Sequence, residues 1–405
     1  MTPIYKKTLE IAQTKIERCD STELIYRPRL GTGGNFADVF FWDTAFTAMW
    51  AKYHLDILPV ETSLDNLYRL QDDDGHINRQ YFPTGKPKWS KEHPISSAPP
   101  VLAWAELELF GQIGDTSRLK RVYPHLAKHH AYIIDTYQCD DGLFFSDPLG
   151  CGMDNLPRAP HGWVDDGKGI RLERHHIMCD APRSYLDMRL NDETLRWNRQ
   201  GRYIDLSAQM AFNALCLARI AELTGADADS EEYRSQHATI GEAINERCWW
   251  DKKAMYVDLG YDTQVPRLHI GGWWPLIARI VPADRIERYV SNLTNEETFG
   301  RMVPVPSMAA CEPEYQARGG YWRGASWPPA TYMVLTGMKH NGMEQLARQL
   351  AEKFYRAAQA AFEEHGTIFE NYAPDDLKPG HPAQPDFCGW SGLATVAMER
   401  EFLGG

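Results

Sequence analysis

The chain has 405 residues, a net charge of −12 at pH 7 and 43% hydrophobic residues, which is typical of a globular protein with a large core. Its 43 basic residues against 55 acidic ones argue against a nucleic-acid partner, because such partners are bound mainly by Lys and Arg side chains that neutralise phosphates. The longest uncharged stretch, Gly324 to Met338, is shorter than the roughly 20 apolar residues of a membrane span. We therefore expect neither a nucleic-acid partner nor a membrane partner.

The N-terminal segment predicts an amphipathic helix and lacks the apolar core of a secretory signal, which favours a cytoplasmic location. The eight cysteines form no C-x-x-C pair, so neither a zinc knuckle nor a dense disulfide framework is expected. Asp72, Asp73 and Asp74 precede Gly75 and could ligate calcium, but a solvated turn is favoured because no loop with the full ligand spacing follows. We predict no metal and no organic cofactor.

Apolar residues spaced three and four apart predict about twelve helices, arranged in pairs. The clearest pattern runs from Ile204 to Leu223 and ends at Thr224-Gly225, a helix stop signal. The predicted helices are, in chain order, 3–18, 43–57, 60–71, 98–113, 117–136, 204–223, 229–248, 272–280, 283–293, 327–338, 342–363 and 390–402.

Alternating apolar and polar residues are rare, and Met255 to Leu259 and Leu143 to Phe145 are short enough to form hairpins within loops. Paired helices with no low-complexity linker predict an all-α fold, a single (α/α)6 barrel of six helical hairpins over residues 1–405. An α-solenoid stays open as an alternative, although no repeat of fixed period is present.

The segments between the predicted helices differ greatly in length. The long ones are rich in Gly, Pro and Trp and cover residues 19–42, 72–97, 138–203, 294–326 and 365–389, the third including a long insertion at about 155–203. Long loops in compact domains are usually functional. If the hairpins run up and down around a ring, one face receives these loops and carries the site.

Many of the tryptophans lie in or beside these long loops. An indole ring presents a flat apolar face that suits the C–H face of a sugar ring, while nearby carboxylates and amides bind its hydroxyls. The alternative is that loop tryptophans cap the core between helix ends. The tryptophans in question are Trp42, Trp89, Trp163, Trp273, Trp274, Trp322, Trp327 and Trp390.

Two acids, Asp154 and Glu370, are embedded among Gly, Met, Phe, Tyr and Asn rather than among other charges. Apolar walls raise the pKa of a carboxyl group and amide donors keep one ionised, so two carboxyls in different surroundings can divide acid and base roles. Glycoside hydrolysis requires this division, with carboxyls roughly 6.5 to 9.5 Å apart in inverting enzymes and about 5 to 5.5 Å apart in retaining ones. A third acid, Asp43, opens a helix and could instead be an N-terminal cap.

Five segments together resemble glycoside hydrolase family 63, and within it the short bacterial enzymes that act on mannosylglycerate and glucosylglycerate. The order and spacing of these segments span most of the chain, which makes the resemblance more specific than any one motif. They are F-W-D at 41–43, G-M-D-N at 152–155, Y-W-R-G-A-S-W-P-P at 321–329, F-E-N-Y at 369–372 and G-W-S-G-L at 389–393.

The resemblance implies an (α/α)6 barrel and a glycosidase that inverts the configuration of an α-linked glucose or mannose. By position in the motifs, Asp154 corresponds to the general acid and Glu370 to the general base. The predicted substrate-binding residues are Phe41, Trp42, Asp43, Gln71, Asn155, Trp322, Arg323, Trp327, Tyr372 and Trp390.

We expect a small α-glucoside or α-mannoside as substrate, such as a glycosylglycerate or a disaccharide. The chain departs from the family at Leu156, where G-M-D-N-S-P is common, so the pocket for the leaving group is open to question. Arginines of the long insertion could bind an acidic aglycone, although pairing with neighbouring acids is the favoured interpretation. They are Arg158, Arg171, Arg174, Arg183, Arg189, Arg196, Arg199 and Arg202.

Two other functions remain as alternatives to a glycosidase. A sugar epimerase can use the same helical toroid but needs two facing catalytic histidines, whereas the groups carried by these motifs are carboxylates. A non-catalytic carbohydrate-binding protein would keep the aromatic cleft without turnover. The sequence leaves the oligomeric state undetermined.

Overall fold

A computed structural model describes residues 1–19, 21–22, 24–92, 94–147, 150–158, 201–260 and 263–404, and these ranges contain twelve helices. The predicted helix number and order are confirmed. The helices are α1 (Pro3–Thr14), α2 (Phe41–Ala51), α3 (Val60–Arg69), α4 (Leu102–Ile113), α5 (Thr116–Tyr137), α6 (Ile204–Thr224), α7 (Asp227–Arg247), α8 (Trp274–Ile277), α9 (Ala283–Ser291), α10 (Pro328–His340), α11 (Glu344–His365) and the π-helical α12 (Leu393–Phe402).

The even-numbered helices form a closed inner ring. Each of α2, α4, α6, α8, α10 and α12 contacts the next, and α12 contacts α2. Helices α1, α3, α5, α7 and α11 pack against the outside of this ring. The fold is therefore the predicted (α/α)6 barrel, and closure between α12 and α2 rules out an open solenoid.

The pattern of burial explains the two rings. Helix α6 is buried over most of its length because it contacts both inner neighbours and its outer partner, whereas α7 buries only Ser230, Ile240, Gly241 and Ile244. The turn between the two helices uses Gly225 at φ 85°, a left-handed conformation that favours glycine. This hairpin therefore combines an inner helix that is buried on nearly all sides with an outer helix that is buried on one side.

The connections alternate in length around the ring. Short turns follow the inner helices, as between α4 and α5 or between α6 and α7. The long connections all lead into inner helices, at residues 15–40, 70–101, 138–203, 248–273, 292–327 and 366–392. In the third of them, residues 148, 149 and 159–200, which include most of the predicted insertion, lie outside the described residues. We call the side where the N-terminal ends of the inner helices meet these connections the loop face, and the opposite side the turn face. The predicted placement of the long loops on one face is confirmed, and the connection 248–273 is an addition to the predicted set.

Short antiparallel strands stabilise the connections. The pairs are β1 (Ile16–Glu17) with β2 (Arg29–Leu30), β3 (Val39–Phe40) with β4 (Gln80–Tyr81), β6 (Trp249–Trp250) with β7 (Met255–Tyr256), and β8 (Leu259–Gly260) with both β5 (Gly201–Arg202) and β9 (Thr263–Gln264). Pairing of β3 with β4 places Phe40 opposite Gln80 and thereby holds the start of α2 against the 70–101 connection. No helix in the described ranges combines the length and apolarity needed to cross a membrane.

Candidate active site

Four of the tryptophans that were predicted to line a sugar-binding site lie close together on the loop face. Trp322 and Trp327 stack with ring centroids 4.1 Å apart and an interplanar angle of 4°. Trp42, in the first turn of α2, lies 6.1 Å from Trp322 and 5.7 Å from Trp390. Trp390 in turn lies 5.8 Å from Trp327. Trp42, Trp322, Trp327 and Trp390 form what we call the tryptophan cluster, in which Trp42 alone is only half-buried.

Three carboxyl groups, Asp43, Asp154 and Glu370, are close enough to perturb one another. Burial raises the pKa of Glu370 to about 8, and the charges of Asp43 and Asp154 contribute to the increase. Burial also raises the pKa of Asp43 to about 7, with Arg79 opposing the increase and Asp154 adding to it. The structure therefore brings the two predicted catalytic acids into one electrostatic unit despite their separation in the chain.

Arg79 is the cation of this unit and was not among the predicted residues. Its Nη2 atom lies 3.6 Å from Oδ1 of Asp154. Burial raises the pKa of Asp154, and the Arg79 guanidinium opposes that increase. The main chain of Arg79 accepts a hydrogen bond from the N–H of Phe41 at 3.0 Å and donates one to Ser96 at 2.7 Å, which fixes it beside the start of α2. Within the H-I-N-R-Q run at 76–80 no sequence pattern marks it.

Glu370 is held by its own loop. Its Oε2 atom accepts the N–H of Gln384 at 3.3 Å, and its carbonyl accepts Nε1–H of Trp390 at 2.9 Å. The backbone N–H of Glu370 donates to the carbonyl of Gln384 at 3.0 Å. These bonds set the carboxyl group and the indole of Trp390 in fixed relative positions, and among the described residues one donor reaches the carboxylate itself.

The segment that carries Asp154 approaches the tryptophan cluster closely at Gly152. A Cβ atom on Gly152 would lie 2.6 Å from the Trp42 ring, and the residue has φ +79°. The amide of Asn155 donates to the carbonyl of Gly320 at 3.0 Å and accepts the N–H of Trp322 at 2.8 Å. Asn155, predicted to bind substrate, is thus engaged in positioning Trp322 relative to Asp154.

Three other predicted substrate-binding residues have different surroundings. Phe41 and Tyr372 are fully buried, with Phe41 against His129 and Tyr372 against Phe354, so neither exposes surface to a ligand. The amide nitrogen of Gln71 donates to carbonyls at 3.1 Å and 2.9 Å outside the cluster. These side chains contribute to the core and to loop structure rather than to the walls of the site.

Arg323 follows Trp322 directly and is half-buried. Its backbone N–H donates to the carbonyl of Gly320 at 3.3 Å, and its carbonyl accepts the N–H of Gln316 at 2.8 Å. The turn that contains it therefore fixes the position of Trp322 in the cluster.

Two arginines of the insertion are engaged by acids. Arg158 makes paired hydrogen bonds of 2.8 to 2.9 Å to both Asp205 and Asp258. Nε of Arg202 lies 2.8 Å from Asp141. Both arginines thus pair with acids, as predicted, but the acids lie outside the insertion. The other six arginines lie outside the described residues.

No group of three His, Cys, Asp or Glu side chains suited to a metal ion occurs among the described residues. In the acidic run before Gly75, Asp72 contacts Nδ1 of His76 at 3.1 Å and Asp74 contacts Lys91 at 2.9 Å. These pairs stabilise the turn at the end of α3.

The N-terminal ends of the inner helices contribute to the electrostatics of the loop face. Asp43 lies in the first turn of α2, and the N-terminal ends of the other inner helices meet at the same face. Helix N-terminal ends carry partial positive charge and unsatisfied N–H groups, which favour negative charge nearby. A set of carboxyls with differing pKa values beside aromatic faces is an arrangement suited to acid-base chemistry on a sugar.

Comparison with known proteins finds the same fold in several solved structures. Solved structures with the same fold include the family 63 mannosylglycerate hydrolase of Thermus thermophilus in complex with glucose, with a TM-score of 0.73, 20% identity and coverage of 98% of this chain and 99% of that one. The neutral trehalase of Saccharomyces cerevisiae has a TM-score of 0.63 and 15% identity, with coverage of 92% of this chain and 73% of that one. At these identities the likeness establishes the fold.

Sequence relatives extend over the same region. A periplasmic trehalase of Xanthomonas campestris is 24% identical over 424 aligned residues, covering 96% of this chain and 70% of the relative. A protein of Borreliella burgdorferi is 24% identical over 289 residues, and the match spans 71% of this chain but only 53% of that relative. The profile of the family described as "Mannosylglycerate hydrolase MGH1-like glycoside hydrolase domain" matches residues 38–391, and the chain therefore belongs to this glycoside hydrolase family.

Proposed function

We propose that the protein is an inverting glycoside hydrolase that cleaves a small α-glucoside or α-mannoside, with Asp154 as general acid and Glu370 as general base. The observation that carries this proposal is the position of Asp43, Asp154 and Glu370 beside the tryptophan cluster and Arg79, where the charges of Asp43 and Asp154 raise the pKa of Glu370. Family membership supports the reaction class.

Asp154 donates its proton to the oxygen of the leaving group in this mechanism. A general acid must be protonated near neutral pH, and burial raises the pKa of Asp154 in that direction. Its segment is fixed by Asn155 and by the close approach of Gly152 to Trp42. The acid is therefore held on a rigid support, as proton transfer to a defined atom requires.

Glu370 activates the attacking water on the opposite side of the sugar ring. Protonation of Asp154 removes one of the charges that raise the pKa of Glu370. Protonation of Asp154 thus lowers the pKa of Glu370 towards the ionised form that a general base requires. Asp43 and Arg79 provide a carboxylate and a guanidinium for sugar hydroxyls, and the exposed face of Trp42 provides an apolar surface for the ring.

A small substrate is favoured by the named activities of the relatives, which are hydrolysis of mannosylglycerate and of trehalose. Both activities concern an α-linked hexose with a small second group. Two proton transfers and a water molecule complete the reaction, so the proposed chemistry needs no cofactor.

The test is a panel of 4-nitrophenyl α-glucoside, 4-nitrophenyl α-mannoside, trehalose and the two glycosylglycerates, followed by NMR of the first-formed sugar. We expect hydrolysis of at least one member with release of the β-anomer. First release of the α-anomer would overturn the inverting mechanism. Saturable binding of sugar without turnover on any member would instead identify a carbohydrate-binding protein.

A further inference from the structure

A small cavity lies under the proposed active site, between the segment of Asp154 and the inner ring. Its walls include Trp42 and Phe46 from α2, Met153, Trp322, and Trp274 from α8. Met153 directly precedes Asp154, and Trp42 directly precedes Asp43. The cavity is therefore lined by the chain neighbours of two of the three carboxyl-bearing residues of the site.

Among the described residues of these walls, Gln209 supplies the only carboxamide. The residue projects from α6 and is only 3% exposed. Its side chain makes no hydrogen bond with any residue in the described part of the chain, whereas Asn213, one turn further along α6, bonds to His130 at 2.9 Å. Because this amide borders the cavity, a water molecule or a ligand hydroxyl that enters the cavity can bind to it.

The size of the cavity restricts that partner. The space open to a water-sized group is about 20 Å³, enough for one such group. A pair of adjacent ring hydroxyls would need at least two polar partners, and the remaining walls are mainly aromatic and aliphatic. One hydroxyl group fits this space, and the aromatic and aliphatic walls around it suit the CH2 group that carries a primary hydroxyl.

We infer that Gln209 binds the exocyclic hydroxymethyl group of the glycosyl unit and so makes the enzyme selective for α-hexopyranosides over 6-deoxyhexosides and pentosides. This inference rests on the proposed hydrolase function. Gln209 is then a specificity-determining residue supplied by α6, a helix that contributes none of the other proposed substrate-binding groups.

The test compares kcat/KM of the full chain and of Gln209→Met on 4-nitrophenyl α-hexopyranoside and its 6-deoxy analogue, using the sugar configuration that the wild type prefers. A site built around a hydroxyl rejects the analogue without it, so the wild type should prefer the hexoside. Gln209→Met should reduce kcat/KM on the hexoside by about tenfold while affecting the 6-deoxy analogue by less than about twofold. Its melting temperature should equal or exceed that of the wild type, because an unpaired amide has been removed.

Asn213→Leu serves as the matched control. It alters a buried amide on the same helix and should lower the melting temperature while leaving the ratio between the two substrates unchanged. Equal losses on both substrates with Gln209→Met, or an unchanged ratio, would overturn the inference and leave the hydrolase function standing. Failure of the wild type to cleave any α-glycoside would instead overturn the proposed function.

Discussion

Carboxylates lie at both ends of the barrel, but their surroundings differ. On the turn face, Lys52 lies 3.0 Å from Glu401 and also contacts Glu108. Tyr53 and Tyr332 donate hydrogen bonds of 2.9 and 2.8 Å to the carboxylate of Glu401. Although burial lowers the pKa of Lys52, the charges of the two glutamates raise it further, so the ammonium stays charged.

On the loop face, the carboxylate of Glu370 accepts one hydrogen bond within the described part of the chain, the 3.3 Å bond from Gln384. Its neighbours Asp43 and Asp154 are acids, and Arg79 is the cation beside them. The half-buried glutamates of the turn face are thus supplied with an ammonium and two phenol hydroxyls, which the carboxylate of Glu370 lacks. The incomplete compensation at Glu370 is what leaves a group able to exchange protons near neutral pH.

The largest expected effect comes from removing the acids of the loop face. Asp154→Asn and Glu370→Gln should each lower kcat by about 10² to 10⁴, since general acid-base steps contribute this much. Circular dichroism should show an intact fold in both variants. A glycosyl fluoride needs little protonation of its leaving group, so Asp154→Asn should retain activity on it whereas Glu370→Gln should not. Near-normal turnover of either variant on an ordinary glycoside would contradict its assigned role.

The second-largest effect, a loss of stability, is expected when the ammonium group on the turn face is removed. Lys52→Met leaves Glu108 and Glu401 without their ammonium, which should cost about 3 kcal/mol of unfolding free energy. Because this network is at the other end of the barrel, kcat/KM should stay within about twofold of the wild type below the melting temperature. The exposed Lys353→Met is the control, and urea unfolding of the two variants measures the difference. Equal stability of both variants would mean that the turn-face network contributes little.

The difference between the faces should also appear in the pH dependence of stability. The native pKa of Glu370 is about 8 against an ordinary 4.5, so between these pH values the native state holds a proton that the unfolded state has released. The unfolding free energy of the wild type should therefore fall as pH rises from 4.5 to 8 relative to Glu370→Gln, which has no proton to lose. Urea unfolding across this range measures the gap, with exposed Glu344→Gln as control. A constant gap would show that Glu370 does not retain its proton on folding.

The smallest effect tests the packing of the acid segment. Gly152 and Gly142 have φ values of +79° and +80°, but an added Cβ would lie 2.6 Å from Trp42 at the first and 3.7 Å from Ala243 at the second. Both Gly→Ala changes should cost about 1 kcal/mol of stability through the left-handed conformation. Only Gly152→Ala should also lower kcat/KM, because it displaces Trp42 and Asp154. Equal kcat/KM values for the two variants would show that the contact between Gly152 and Trp42 does not affect the function of Asp154.

Local sequence patterns were sufficient for the helices and for the region of the site. Periodicity is a local property, so the order of twelve helices and the grouping of long loops followed from it. The acids Asp154 and Glu370 were recognisable because their chain neighbours are Gly, aromatic and amide residues rather than other charges.

Closure of the inner ring determined side-chain exposure and the contacts between distant residues, which local sequence patterns do not predict. It placed Phe41 and Tyr372 in the core while leaving Trp42 half-buried, since a side chain's exposure depends on the helices that pack around it. It also brought Arg79 beside Asp154, and Gln209 beneath the tryptophan cluster, from segments without any motif. Burial and the charges of distant residues set the pKa of a carboxyl group, and both arise only when the ring is complete.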